Sequence, residues 1–198
     1  MLPSGFWRVA PLTLALALTA AMPTMSIQEA YRTIPQRQTP YNAGISRIRG
    51  AEQTYLTTVF ELTDVATAIR TDAMRWLQSG ARRGADPITS EQALKGVEDQ
   101  LNALTPPRKL SGVHRALQGA LFAHRQTIAS WQRATDADLR VNMNQPEIQQ
   151  AHRQIERAYR KLLTLYANEP EYNQQAFHDT LAALDFLPLK TQTAAPRP

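Results

Sequence analysis

The sequence predicts an all-α protein: an antiparallel up-and-down helical bundle of four main helices followed by a short C-terminal helix. Apolar residues recur in steps of three and four through most of the chain, which is the period of helices packed lengthwise. Glycine and proline gather between those stretches, where they stop one helix and start the next. Strand-type alternation of apolar and polar residues is absent. Four such helices joined by short connections pack as antiparallel neighbours.

Residues 1–21 read as a separate unit. Arg8 precedes the apolar run "VAPLTLALALTAAM", and Thr19, Ala20 and Ala21 supply the small residues of a cleavage site. This order is that of a secretory signal peptide cut after Ala21. An apolar run of about 14 residues spans only about 21 Å as a helix, too little for a hydrocarbon core of about 30 Å. The expectation is an exported protein, periplasmic or secreted. Residues 22–43 hold Pro23, Pro35 and Pro40 without a sustained apolar period and are expected to form a flexible lead-in. The bundle domain then covers 44–187, and 188–198 form a disordered tail.

Helix 1 follows the seam Ile45, Ile48, Glu52, Tyr55, Val59, Leu62, Ala66, Ile69, Ala73 and Trp76. It runs for about 35 residues, or about 50 Å, and ends near Gly80 in "GARRGADP". Helix 2 begins at "TSEQALKGVEDQLNAL", where Thr89 and Gln92 match a capping box, and shows Leu94, Val97, Leu101 and Leu104 on one face. Thr105, Pro106 and Pro107 break it and open helix 3, since prolines in a first turn lack only amide protons that have no helical partner. Helix 3 carries Leu110, His114, Leu117, Leu121, His124, Ile128, Trp131 and Thr135. After "DADLRVNMNQP", helix 4 carries Ile148, His152, Ile155, Tyr159, Leu162 and Tyr166. Helix 5 starts at Pro170 and shows Phe177, Leu181, Leu184 and Leu187.

The corner "LTPPRKLSGVH" resembles the corner between the second and third helices of the soluble periplasmic b-type cytochrome. That family is a four-helix bundle that binds haem through a methionine near its start and a histidine near its end. The resemblance implies the bundle fold. Its ligands have no counterpart here: helix 1 opens "ISRIRGAE" without a methionine, Met74 lies near its other end, and His152 and His178 do not match the terminal histidine.

The chain has no cysteine, which removes disulfides, thiolate metal sites and cysteine nucleophiles. His-Glu-x-x-His, Gly-x-Ser-x-Gly, phosphate-loop and calcium-loop patterns are missing too. No cofactor and no catalytic residue is therefore expected. Three seam histidines, His114, His124 and His152, are read as core residues hydrogen-bonded to tyrosine, tryptophan or backbone. His114 and His124 stand about 15 Å apart along one helix and cannot share an ion. A hairpin turning near Val141 would bring His152 level with Trp131 and His124 level with Tyr159. The alternative reading is a small metal or haem carrier that uses seam histidines, with Glu52 as the one acid on a seam.

The net charge is +5 and the pI is about 9.8. No acid falls between Asp99 and Asp136, whereas Arg108, Lys109, Arg115, Arg125 and Arg133 do. Helices 1 and 4 mix signs, the first with Glu61, Asp64, Arg70, Asp72 and Arg75, the second with Glu147, Arg153, Glu156, Arg157, Arg160 and Lys161. An uncompensated basic face on helix 3 favours an anionic partner, such as lipid headgroups, lipopolysaccharide, a cell-wall polymer or an acidic protein. Alternatively, Glu91, Glu98 and Asp99 of helix 2 neutralise that face. Nucleic acid is disfavoured by the leader and by the lack of interleaved aromatic residues. The expected function is a non-catalytic binding or accessory module of the cell envelope. A long seam serves a monomer or a dimer equally well, so subunit number is left open.

Overall fold

The all-α fold follows from the apolar seams. In a computed structural model, which describes residues 25–26, 39–79, 86–131, 140–141 and 144–189, five helices pack around one core. They are α1 (Gly50–Gln78), α2 (Pro87–Ala103), α3 (Ser111–Trp131), α4 (Pro146–Leu165) and α5 (Glu171–Leu184). A short 3-10 turn, Arg108–Leu110, leads into α3. The described strands are two-residue pieces, β1 (Met25–Ser26) and β2 (Arg140–Val141), paired antiparallel. No described helix is long and apolar enough to cross a membrane.

Each helix packs on the next in sequence, and α5 lies against both α4 and α1, closing the ring. Side-chain pairs give directions. Asn102 meets Gln118 while Glu91 meets Arg125, so α2 and α3 run oppositely. Gly112 lies against Lys161 and Gly119 against Gln154, so α3 and α4 do too. Phe60 packs on Phe177 and Arg70 reaches Ala183, so α5 runs parallel to α1. The small residues Ala116, Ala120 and Ala123 of α3 and Ala151 and Ala158 of α4 are all buried, suiting the close approach of these two helices.

The helix 3 seam is buried from Leu110 through Trp131, and the α4 seam is buried at Ile148, Ile155, Tyr159, Leu162 and Tyr166 with His152 half-buried. Other expectations shift. Helix 1 begins at Gly50 and not near Ile45, because Arg49 is extended and Gly50 takes φ +62°, a left-handed turn that glycine accommodates without strain. Ile45 is 46% exposed. The cap of α2 is Asp86, whose carboxylate accepts from the amides of Ile88 and Thr89 and from the Thr89 hydroxyl. Thr89 therefore lies inside the helix. The prolines of the corner stay extended, with Pro107 at ψ 144°, and helical geometry resumes only at Arg108.

Residues 39–43, placed by the sequence in the flexible lead-in, are part of the packed fold. Tyr41 sits between Phe60 and Phe177, and the Asn42 amide donates to Asn173 Oδ1 at 3.0 Å. The buried Glu169 carboxylate, at the corner between α4 and α5, accepts from Ser46 Oγ, the Arg47 and Ile48 amides and Asn173 Nδ2. At the other terminus, Leu189 is buried although it falls in the expected tail. The leader 1–21 and residues 190–198 lie outside the described residues.

Arg70, placed by the sequence on the mixed-sign outer face of helix 1, is fully buried. Its guanidinium donates to the Asp185 carbonyl at 2.9 Å and the Ala183 carbonyl at 2.7 Å, and it stands 4.9 Å from the centre of the Phe186 ring. A cation there meets the negative end of the α5 dipole.

Arg70→Met should cost about 3 kcal/mol in urea unfolding, since it strips two buried carbonyls of a charged donor. Gly96→Ala, at a helical position where an added Cβ meets nothing within 4 Å, should stabilise by about 0.5–1 kcal/mol. Urea unfolding of both variants checks these values.

Candidate binding groove

The close packing of α3 on α4 leaves a groove on the outer side of the pair, about 680 Å³ in volume. Lys109 and Arg115 line it from the α3 side, and Arg153, Arg157, Arg160 and Lys161 from α4. Against these six cations the described lining offers one acid, Glu156, which pairs with Arg160 at 3.0 Å. A connected lobe of about 430 Å³ lies between Arg115, Gln154, Arg157 and Lys161. All six cationic side chains are exposed.

Sequence spacing builds this arrangement. Arg153, Arg157 and Lys161 recur at i, i+4 and i+8, so they stand one above another on one face of α4, about 6 Å apart per step. Gly112 makes room on the facing helix, because a Cβ there would meet Lys161 Nζ at 3.0 Å. Arg157 meets only Gln154, at 3.5 Å, and Arg115, Arg153 and Lys161 have no ion pair among the described residues.

The expected basic stripe is therefore split. Lys109 and Arg115 belong to the groove, and Lys109 also lies 3.5 Å from Glu52. Arg108 is exposed and does not line the groove. Arg125 follows the alternative reading, neutralisation by acids of helix 2, and not that of a partner contact. It turns to α2, pairing with Glu91 at 2.9 Å and Glu98 at 2.8 Å while lying 5.4 Å from the Phe122 ring centre. Asp99 pairs instead with Lys95. Arg133 lies outside the described residues.

The histidines take separate partners. His114 Nδ1 bonds the Tyr55 hydroxyl at 2.7 Å, and burial pushes its pKa down. His152 Nδ1 meets the buried Asp185 carboxylate at 2.8 Å, and that bond raises its pKa. His124 differs from the expectation of a hydrogen-bonded core histidine: neither ring nitrogen has a partner among the described residues. It packs 4.9 Å from Phe186, and burial, aided by the Arg70 charge, lowers its pKa to about 3. The contacts of Gly112 and Gly119 set a register between α3 and α4 other than that of a turn near Val141 and bring His152 level with about Leu121 rather than Trp131. Tyr159 meets His178, not His124. Among the described residues no group of three or more histidines and acids is placed to hold a metal.

No protein-family model, curated protein or solved structure matches this chain. The groove cations of α4 were legible as residues but not as a site. Their i, i+4 succession was the available signal, and assigning it to a groove needed the pairing of α3 with α4.

His124 and His152 give opposite pH dependences. His124 falls from its ordinary 6.5 to about 3 in the fold, so acid favours the unfolded chain: the stability present above pH 6.5 is lost as pH falls towards 3. His152 is raised, so its contribution is full below its ordinary 6.5 and lost as pH rises through the folded value. His124→Leu should stay within about 1 kcal/mol of wild type at pH 7, since no hydrogen bond is lost. In urea unfolding it should lose distinctly less stability than wild type between pH 7 and pH 5. Parallel pH profiles for the two proteins would show that His124 is not the acid-sensitive group.

Proposed function

We propose that the protein is an exported, non-catalytic binding module that engages an anionic component of the cell envelope through the α3–α4 groove. One observation carries the reading: six exposed cations from α3, the 3-10 turn that leads into it, and α4 converge on one concavity with a single described acid among them. Like charges at i, i+4 cost an isolated helix about 0.2–0.5 kcal/mol per pair. Packing stability gives no reason to gather them, and a bound anion does. The export half of the proposal is supported by the basic, apolar and small-residue order of residues 1–21. The carrier alternative is less favoured, because His114 and His152 are each engaged by a protein side chain.

The test is binding to three anionic probes: long-chain polyphosphate, phosphatidylglycerol vesicles and polyglutamate. At least one should bind, weakening between 0.1 M and 1 M salt as the screening length shrinks from about 10 Å to about 3 Å. Arg115→Glu with Arg157→Glu should weaken it at least tenfold, since each reversal near an anion removes about 2 kcal/mol of attraction in water. Arg75→Glu with Lys95→Glu, an equal change of net charge away from the groove, should weaken it less than threefold. Failure of all three probes, or equal losses in the two double variants, overturns the proposal.

A further inference from the structure

We infer that the occupant of the groove is a single phosphate-bearing strand, which lies along α4 and leaves across Lys109 towards Arg47. This rests on the reading that the groove binds an anionic component, and it names the class of that component. Shape is the first reason. The groove is concave and follows α4 from Arg153 to Leu165, about 18 Å of helix. A strand lies within such a trough, whereas a bilayer surface is flat on this scale and enters only with an apolar wedge. Among the described residues the exposed large apolar ones are Ile45, Val65, Ile88, Phe122 and Tyr172, and none of them lines the groove.

The lining also disfavours a protein. Tight protein interfaces centre on a desolvated aromatic or aliphatic anchor, and Leu165 is the one large apolar residue of the described lining. Without an aromatic platform the groove is equally poor for the bases of a single-stranded nucleic acid.

The cation type points to phosphate. Four of the six are arginines, whose planar forks grip oxyanions through paired hydrogen bonds. Arg115 comes from one wall, Arg153 and Arg157 from the other. A tetrahedral phosphate presents oxygens to both walls at once, whereas a carboxylate presents one plane. The step of about 6 Å between Arg153, Arg157 and Lys161 repeats the charge along the trough, which suits a ligand whose own charge repeats.

The exit is set by a second cavity of about 240 Å³ that shares Lys109 and Leu165 with the groove and adds Arg47 and Arg49. Its two acids are engaged inward. Glu169 accepts from backbone amides, Ser46 and Asn173, and Glu52 accepts from the Tyr166 hydroxyl at 2.8 Å beside Lys109. Arg49 donates to the Ser46 and Ile48 carbonyls, and the Arg47 side chain is exposed at the rim.

The deciding measurement is the affinity for tripolyphosphate, long-chain polyphosphate, polyglutamate and phosphatidylglycerol vesicles, compared at equal anionic charge and equal salt. Long-chain polyphosphate should bind at least tenfold more tightly than each of the others, because one chain engages successive cations. Arg47→Gln should weaken the long chain at least threefold and leave tripolyphosphate unchanged. Groove-dependent binding to vesicles or polyglutamate as tight as that to long-chain polyphosphate would overturn the strand and leave the anionic-binding function standing. Equal affinity for tripolyphosphate and the long chain would reduce the site to one isolated phosphate. No effect of Arg47→Gln on the long chain would remove the path across Lys109. Absence of binding to every probe would remove the function and the strand together.

Discussion

The closure of the bundle depends on the burial of one charge. Arg70 leaves water completely, a cost of several kcal/mol for an ion in a low-dielectric interior. The offset comes from the α5 C-terminus, whose last carbonyls have no helical donors of their own. Two of them, from Ala183 and Asp185, take the guanidinium, and the Phe186 ring lies beside it. The contact ties α1 to α5, and the Asp185 side chain then reaches His152 on α4. Three helices meet through five residues. At the opposite end Glu169 and Asn173 fasten the chain before α1 to the corner between α4 and α5. With both ends held, α5 fills the gap between α1 and α4, and its buried face runs from Asn173 to Leu184.

That closure leaves α3 with two differently charged sides. Towards α2, Arg125 is neutralised by Glu91 and Glu98 in a half-buried cluster. Towards α4, Arg115 meets further cations. The core is served by the side between them, where His114, Leu117, Leu121, His124 and Ile128 are buried. Net charge alone would not separate the two polar sides, since both carry arginine. The difference comes from the neighbour: α2 brings acids to the same height, and α4 brings more arginine.

The parts of the fold legible in the sequence are those decided by local period. The α3 and α4 seams need only the helical repeat, and the structure buries their described residues with His152 alone half-exposed, Thr135 lying outside the described residues. Arg70 was illegible because its partners are main-chain carbonyls more than a hundred positions later, and a carbonyl leaves no mark in a sequence. The capping role of Asp86 was hidden behind a nearby Thr89–Gln92 pair that fits a capping box equally well. The hairpin register was misjudged because a polar connection gives no signal for where it turns, and a shift of a few residues changes every cross-helix partner. The groove was half legible for the same reason: Lys109 and Arg115 stood out by the absence of acids around them, while Arg153, Arg157 and Lys161 are interspersed in sequence with Glu147 and Glu156, of which only Glu156 lines the groove, paired with Arg160.

The fate of Glu156 bears on what the groove is for. It sits among the α4 cations and is spent on Arg160, its neighbour one turn along. Glu147, the other acid of α4, lies at the first turn, where a carboxylate favours the positive end of the helix dipole. Glu147 is more than a turn from Arg153, Arg157 and Lys161, and Glu156, three positions from Arg153 and so within reach of it, pairs with Arg160 instead. The α2–α3 contact of this same bundle shows the opposite solution, with Glu91 and Glu98 set against Arg125. A chain that neutralises cations on one side and accumulates them on the next has placed its unpaired charge where the helices form a trough. Under the proposed function, an anion entering the trough would relieve the mutual repulsion of these cations.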